Sequence, residues 1–390
     1  MFRIVKNDNL PRWKAVIFRI CAILFGFVLS GIVIAALGFP VIDTFRFMFA
    51  GAFGSEILIQ NTISFAIPLA ITALGLSVAF RMRFWNIGGE GQMIFGAIAA
   101  TFVSLQMPDD TSGYILIPLM LLAGMVGGAI WGIIPGIFRV YFHSNETLFT
   151  LMMNYIAICL VNYLYNDVWK DPAKHGFSGI KAIEAQAHLP KLFGIQIGFL
   201  IALALAGALY LMINKTKFGY EIRVVGESEP TANYAGMNVK WIMLLGILLS
   251  GGIVGLAGAV QLNGSAFALA DGITGGAGFT AIVIAWLSNL SAPIIIVVAI
   301  LFGALKTGAT AIQMYPGVPS SVGSVMQGLL LFSVIGGEFF LKYRIVFSGK
   351  AAHFFRRKEV ISSEDGEKFI SDDWNHPNSR EESSEQEGEK

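Results

Sequence analysis

Residues 241–262 read WIMLLGILLSGGIVGLAGAVQL and contain no charged side chain. An α-helix needs about 20 apolar residues to cross the hydrocarbon core of a bilayer, so this stretch predicts a membrane-spanning helix. Comparable runs occur at 15–38, 62–80, 91–107, 114–138, 147–165, 195–213 and 322–341. The repetition predicts an all-α polytopic membrane protein.

The composition excludes a water-soluble globule. Charged residues make up 14% and hydrophobic residues 55% of the 390 residues, whereas a soluble protein carries about 25% charged residues. The net charge of +1 conceals an uneven distribution of charge along the chain. Basic residues open the chain, and an acidic tail runs from about Glu359 to Lys390. No basic patch interleaved with aromatic residues suggests a nucleic-acid partner.

Two stretches depart from a simple span. Residues 43–59 are apolar but carry Asp43, Arg46 and Glu56, so we expect an interfacial or external connector. Residues 279–307 are interrupted by SNLSAP at 288–293. We expect two shorter arms, 279–290 and 292–307, and about nine or ten membrane segments in total, with one or two of them short or broken.

Lysine and arginine orient these segments, because short basic loops stay in the cytoplasm. The N-terminus (1–14), the loop 214–240 and the basic cluster at 342–358 are then cytoplasmic, and the membrane domain covers 15–346. The loop 166–194 falls outside although it contains four lysines, which runs against the rule. The Ser/Glu/Asp-rich tail, 347–390, is typical of a disordered cytoplasmic segment.

Motifs for enzyme chemistry are missing from the sequence. There is no G-x-x-x-x-G-K-[ST] loop to hold ATP phosphates, no HExxH and no GxSxG, and the five histidines are scattered. We therefore expect no catalysis, no metal site and no cofactor in this chain.

Polar residues at membrane depth usually face a cavity or a partner. Residues 84–92 read FWNIGGEGQ, and three glycines beside Asn86, Glu90 and Gln92 indicate an irregular, closely packed backbone. This stretch is either a polar turn between two helices or a broken segment that lines a substrate path. In the latter case Phe84 and Trp85 supply aromatic surfaces for stacking.

A second polar cluster begins at Asn145. Asn145, or Glu146 with Thr147, fits the cap of the helix that starts there. Asn154 lies deeper in the same apolar run, where its amide needs a hydrogen-bond partner on a neighbouring helix or on a ligand.

The longest inner loop, 214–240, contains signals for a short amphipathic helix. Ser228 fits an N-cap, Pro230 fits the first turn, and Gly236 fits a C-terminal stop. Such a helix at the cytoplasmic surface suits docking onto a soluble partner, and a plain structural loop explains the residues equally well.

Glycines at four-residue spacing predict close helix packing, either within one bundle or at a subunit interface. They form two stripes, Gly124–Gly128–Gly132–Gly136 and Gly251–Gly255.

Several of these motifs resemble one family, the nucleoside-type ABC importer permeases, which are related to ribose and branched-chain amino acid permeases. Residues 86–92 (NIGGEGQ) resemble its NIGxEGQ signature, and 145–157 (NETLFTLMMNYIA) resemble NE…TLMLNYIA. Residues 218–239 are similar to its FGYELRAVGxNPxAAxYAGINV segment. Further likenesses occur at 278–282, 301–305, 308–309 and 318–321.

The resemblance implies a bacterial cytoplasmic-membrane permease without enzyme activity of its own. Its partners would be a second permease, related or identical, two cytoplasmic ATPase subunits that bind ATP and Mg²⁺, and an extracellular lipid-anchored binding protein. A simple sugar such as ribose, or an ion-coupled secondary transporter, is the alternative. The residues assigned to ATPase coupling are Gly219, Glu221, Arg223, Gly226, Glu229, Pro230, Tyr234 and Gly236. Those assigned to the substrate path are Phe84, Trp85, Asn86, Glu90, Gln92, Asn145, Glu146 and Asn154.

Overall fold

A computed structural model of the chain describes residues 2–6, 12–108, 110–172, 179–312 and 319–347. The acidic part of the predicted tail, from residue 348 onward, lies outside them. Contacts divide the chain into a large unit, 11–339, and a small one made of 1–10 and 340–390.

Helices dominate the described residues, which confirms the all-α class. In chain order they are α1 (Arg12–Ala36), α2 (Val41–Phe53), α3 (Glu56–Arg81), α4 (Gly89–Gln106), α5 (Gly113–Phe142), α6 (Glu146–Tyr163), α7 (Gly198–Lys215), α8 (Lys217–Glu227), α9 (Glu229–Tyr234), α10 (Val239–Gln261), α11 (Ala277–Leu287), α12 (Ala292–Ile312) and α13 (Ser320–Lys342). Single π-helical turns extend α6 through Val168 and α10 through Ala266.

The few strands are short and pair in two ribbons. In the small unit, β1 (Phe2–Lys6) pairs antiparallel with β4 (Tyr343–Phe347). In the large unit, β2 (Lys191–Leu192) pairs with β3 (Ile195–Gln196) in the loop between α6 and α7.

Six helices are long and apolar enough to cross a membrane: Glu56–Arg81, Gly113–Phe142, Glu146–Val168, Gly198–Lys215, Val239–Ala266 and Ala292–Ile312. Shorter apolar stretches lie in α1 (Ile20–Ala36), α11 (Ala277–Leu287) and α13 (Ser321–Val334). The expected total of nine or ten segments therefore stays a prediction.

The two irregular stretches adopt defined structures. Most of 43–59 is helical, and the 13 residues of α2 extend about 20 Å, less than the hydrocarbon thickness. The break at 288–293 separates α11 from α12, as predicted. Asn289 and Leu290 in this turn have φ values of 48° and 58°, a left-handed conformation in which their N–H groups bind back to carbonyls of α11 and end that helix.

Helix starts follow ordinary capping chemistry. At five helices, a side-chain oxygen of the N-cap residue accepts a backbone N–H of the first turn. These caps are Ser55, Asn145, Thr216, Ser228 and Asn238.

The centre of the bundle consists of α3 and α10, which are largely buried, whereas only about a third or less of the residues spanning α5, α6 and α7 are buried. The two glycine stripes meet each other inside the bundle, so the close packing predicted for them lies within this chain. A side chain at Gly128 would collide with the backbone of Gly251 and Gly255, and one at Gly96 on α4 would also collide with Gly255. Three helices thus touch backbone to backbone.

Candidate substrate path and coupling surface

The turn between α3 and α4 is folded around Asn86, which is fully buried. Its Oδ1 accepts the N–H of Gly88 at 3.0 Å. Its amide also pairs with the amide of Gln92, with Nδ2 of Asn86 donating to Oε1 of Gln92 at 3.2 Å and Nε2 of Gln92 donating back at 3.3 Å. The two predicted path residues therefore bind each other.

Helix α6 holds the same turn from outside. Asn154 donates from Nδ2 to the carbonyl of Ile87 at 3.0 Å and accepts the N–H of Gly91 at 2.8 Å. Thr150 accepts the N–H of Ile87 at 3.1 Å. A side chain at Gly91 would begin 2.9 Å from Oδ1 of Asn154, so glycine is required for this approach. The partner that the buried Asn154 needs is thus the turn itself.

Glu90 ties α4 to the start of α11. Its carboxylate accepts the hydroxyl of Thr274, the N–H of Gly276 at 3.1 Å and the N–H of Gly278 at 2.7 Å. A carboxylate at a helix N-terminus also interacts favourably with the helix dipole. Gly276 has a φ of 76°, which glycine adopts without strain. Glu90 thereby fixes the path of the preceding loop.

The other predicted path residues lie at the edge of this network. Phe84 is buried, whereas Trp85 is half exposed and stacks on Trp286 of α11 with ring centroids 5.2 Å apart. Asn145 caps α6 by accepting the N–H of Leu148 at 3.2 Å. Glu146 forms an ion pair with Arg139 at 3.3 Å.

The structure therefore brings together Asn86, Gln92, Asn154 and Glu90 as a buried network with partners inside the protein. Direct contact between these side chains and a substrate stays a prediction. Among the described residues, no cluster of three or more His, Cys, Asp or Glu could hold a metal ion.

The predicted coupling segment contains two helices, α8 and α9, rather than the single one predicted. The N-cap at Ser228, the proline in the first turn and the left-handed Gly236 (φ 76°) agree with the prediction for α9. Sequence reasoning missed α8, although its cap, Thr216, is the signal that could have found it.

Small residues bring α8 against the bundle. Side chains at Gly219 and Gly226 would collide with the backbone of Met212–Ile213 and of Arg81, respectively. The opposite surface is exposed: Tyr234 is 96% accessible, and Arg223, Glu229 and Pro230 also face outward. Glu221 is half buried and lies 3.7 Å from Lys217.

The end of α3 connects this segment to the α11–α12 turn. Arg81, whose backbone packs against Gly226, donates from Nη2 to the carbonyl of Leu290. Trp85 and Trp286 stack beside it. A movement of α8 would therefore displace α3 directly. Through the side chain of Arg81, it would also displace the α11–α12 turn.

Sequence reasoning also missed Lys306, in α12. The signal was available, because Lys306 is the single charged residue between Asp271 and Glu338.

Comparison with known proteins identifies the family. Residues 58–335 match the family described as branched-chain amino acid transport system / permease component. The chain belongs to this family. Its members include the membrane permeases of ABC importers, and the present chain is such a permease, embedded in a membrane.

Its relatives align over most of their length. The chain is 32% identical to the guanosine ABC transporter permease protein NupP of Bacillus subtilis, over 83% of this chain and 94% of NupP. It is 30% identical to the nucleoside ABC transporter permease protein NupB of Lactococcus lactis, over 82% and 91%. It is 29% identical to the glucose ABC transporter permease protein TsgB13 of Haloferax volcanii, over 86% and 91%.

Proposed function

We propose that this permease imports nucleosides across the cytoplasmic membrane of a bacterium, driven by ATP. The observation that carries the proposal is the near-full-length similarity to permeases named for guanosine and for nucleosides. The glucose permease among the relatives makes a simple sugar the competing substrate.

The proposal includes partners that supply energy and substrate. Two cytoplasmic ATPase subunits bind ATP and Mg²⁺, a second permease completes the membrane part, and a lipid-anchored binding protein delivers the nucleoside. Support comes from the exposed outer surface of α8 and α9, since partner surfaces are enriched in exposed tyrosine and arginine.

Both termini of the chain are cytoplasmic in this proposal. The basic loops support the orientation. The pairing of β1 with β4 supports a common side, because paired strands cannot lie on opposite sides of a bilayer.

The substrate path in this proposal runs beside the buried turn that contains Asn86, Glu90 and Gln92. Nucleosides are neutral and flat, so hydroxyl-binding amides and aromatic faces suit them. ATP-driven movement enters at α8 and α9 and reaches the α11–α12 turn through Arg81. The network around Glu90 keeps the turn in one shape while the surrounding helices move.

Uptake of radiolabelled nucleosides, with ribose, glucose and leucine as comparison substrates, tests the proposal in cells with and without the gene. We expect gene-dependent nucleoside uptake that stops on ATP depletion and survives collapse of the proton gradient. Uptake of a sugar but of no nucleoside would show that the substrate is a sugar. Uptake that survives ATP depletion and stops with the gradient would make the chain an ion-coupled transporter and overturn the proposal.

A further inference from the structure

Lys306 places a positive charge inside a helix long and apolar enough to cross the membrane. It lies in α12, within two turns of the C-terminal end at Ile312. A lysine at the centre of a spanning helix costs about 2.5–3.5 kcal/mol on insertion scales. Such residues usually face the interior of the bundle or a water-filled cavity and mark a pathway.

The surroundings of Lys306 are aromatic and glycine-rich. Its Nζ lies 5.4 Å from the centroid of the Phe65 ring, on α3. A side chain at Gly275 would begin 3.1 Å from the same nitrogen, so the ammonium also lies against the loop that precedes α11. Lysine and phenylalanine are both partly accessible, and this pair therefore borders open space.

The ammonium has unused hydrogen-bonding capacity. It carries three N–H donors, and within the described part of the chain no oxygen accepts a hydrogen bond from it and no carboxylate lies within ion-pairing distance. Glu90 acts on it electrostatically, but the Glu90 carboxylate already accepts from Thr274, Gly276 and Gly278. The attraction between Glu90 and Lys306 therefore uses none of the N–H donors of the ammonium.

We propose that Lys306 contacts the transported nucleoside, with Nζ donating a hydrogen bond to a carbonyl oxygen of the base. This inference rests on the proposed function and specifies the preferred substrates, namely nucleosides with an oxo group on the base. The ring of Phe65 provides a flat apolar surface beside the donor, which suits a base better than the ribose. Adenosine, whose base has no carbonyl group, lacks this contact.

The test is uptake of guanosine and of adenosine by cells that produce the complete importer. We compare the wild type, Lys306→Met, Lys306→Arg, and the control Thr310→Val, an exposed residue one turn further along α12. For Lys306→Met we expect the ratio of guanosine to adenosine uptake to fall at least tenfold, as for loss of a hydrogen bond to a charged group. Lys306→Arg, which keeps a charged donor, retains most of the ratio, and Thr310→Val leaves it unchanged.

The ratio does not depend on the amount of transporter in the membrane. If Lys306→Met yields no protein, Lys306→Gln replaces the charged donor by a neutral one, and we expect a shift of the same sign of about threefold. An unchanged ratio in these variants, with both nucleosides imported, would overturn the inference and leave the proposed function intact. A wild type that imports neither nucleoside would overturn the proposed function itself.

Discussion

The turn at 82–88 and the segment at 217–236 are both short, glycine-containing connections between long helices, but they use their polar residues in opposite ways. In the first, Asn86 is fully buried and pairs with Gln92, whereas in the second Tyr234 is almost fully exposed. The side chains that bind the backbone of the turn and of the start of α4, Thr150 and Asn154 of α6, lie 63 residues away in the chain. Those of α8 and α9 pair mainly with neighbours within four residues.

The difference separates two roles that look alike in the sequence. Buried polar groups that are fully paired fix one local structure, because any unpaired donor or acceptor would cost free energy. Exposed groups on helices that are held by their buried faces, which include Ile222 and Val225 of α8 and Ala232 of α9, remain available for another protein. We therefore interpret the turn as a rigid support and α8–α9 as a docking surface.

Glu90→Gln gives the largest expected effect, because it breaks the rigid support. The neutral amide puts an NH₂ group in place of one of the two oxygens that accept from Gly276 and Gly278. Leaving a buried donor unpaired costs about 1–3 kcal/mol. We expect a lower midpoint of thermal unfolding in detergent and at least a tenfold loss of uptake. The matched control is Glu227→Gln, an exposed residue at the end of α8, and an equal loss there would contradict the comparison.

Gly226→Ala tests the attachment of the docking surface. The new methyl group would collide with the carbonyl of Arg81, so α8 must move away from α3. We expect several-fold lower uptake and ATP hydrolysis that no longer responds to substrate, measured in the reconstituted importer. Gly207→Ala is the control, since nothing lies within 4 Å of that position. Normal coupling in Gly226→Ala would remove the assigned route through Arg81.

Tyr234→Ala gives the smallest effect on the isolated chain. The side chain is 96% exposed, so we expect the free energy of unfolding to change by less than about 0.5 kcal/mol. Exposed tyrosines often anchor interfaces, and we expect weaker co-purification of the ATPase subunits. Tyr163→Ala, also exposed but at the far end of α6, should leave co-purification unchanged. A Tyr234 variant that is less stable but co-purifies normally with the ATPase subunits would contradict the docking role.

Local signals carried most of the fold prediction. The break between α11 and α12 followed from Pro293 and the polar residues before it, and the start of α9 followed from Ser228. Glycine spacing indicated the closely packed surfaces of α5 and α10, but not that these two surfaces pack against each other. Each of these features depends on residues within one or two turns of each other.

The site was harder to predict, because its contacts join distant parts of the chain. The carboxylate of Glu90 binds residues 184 to 188 positions away, so the sequence could not reveal that its oxygens are occupied. Lys306 is a lone charge in a long apolar stretch, and no residue near it in the sequence indicates which helix it faces. Its proximity to Phe65 depends on how α12 packs against α3.

The backbone contact among α4, α5 and α10 restricts how the protein can work mechanically. Helices that touch at glycine, with no side chains between them, cannot slide past one another without losing these backbone contacts. This trio therefore acts as a stationary frame during the transport cycle. The start of α11 is tied to this frame through Glu90, so movement is left to the other end of α11 and to α12, which meet at the left-handed residues Asn289 and Leu290.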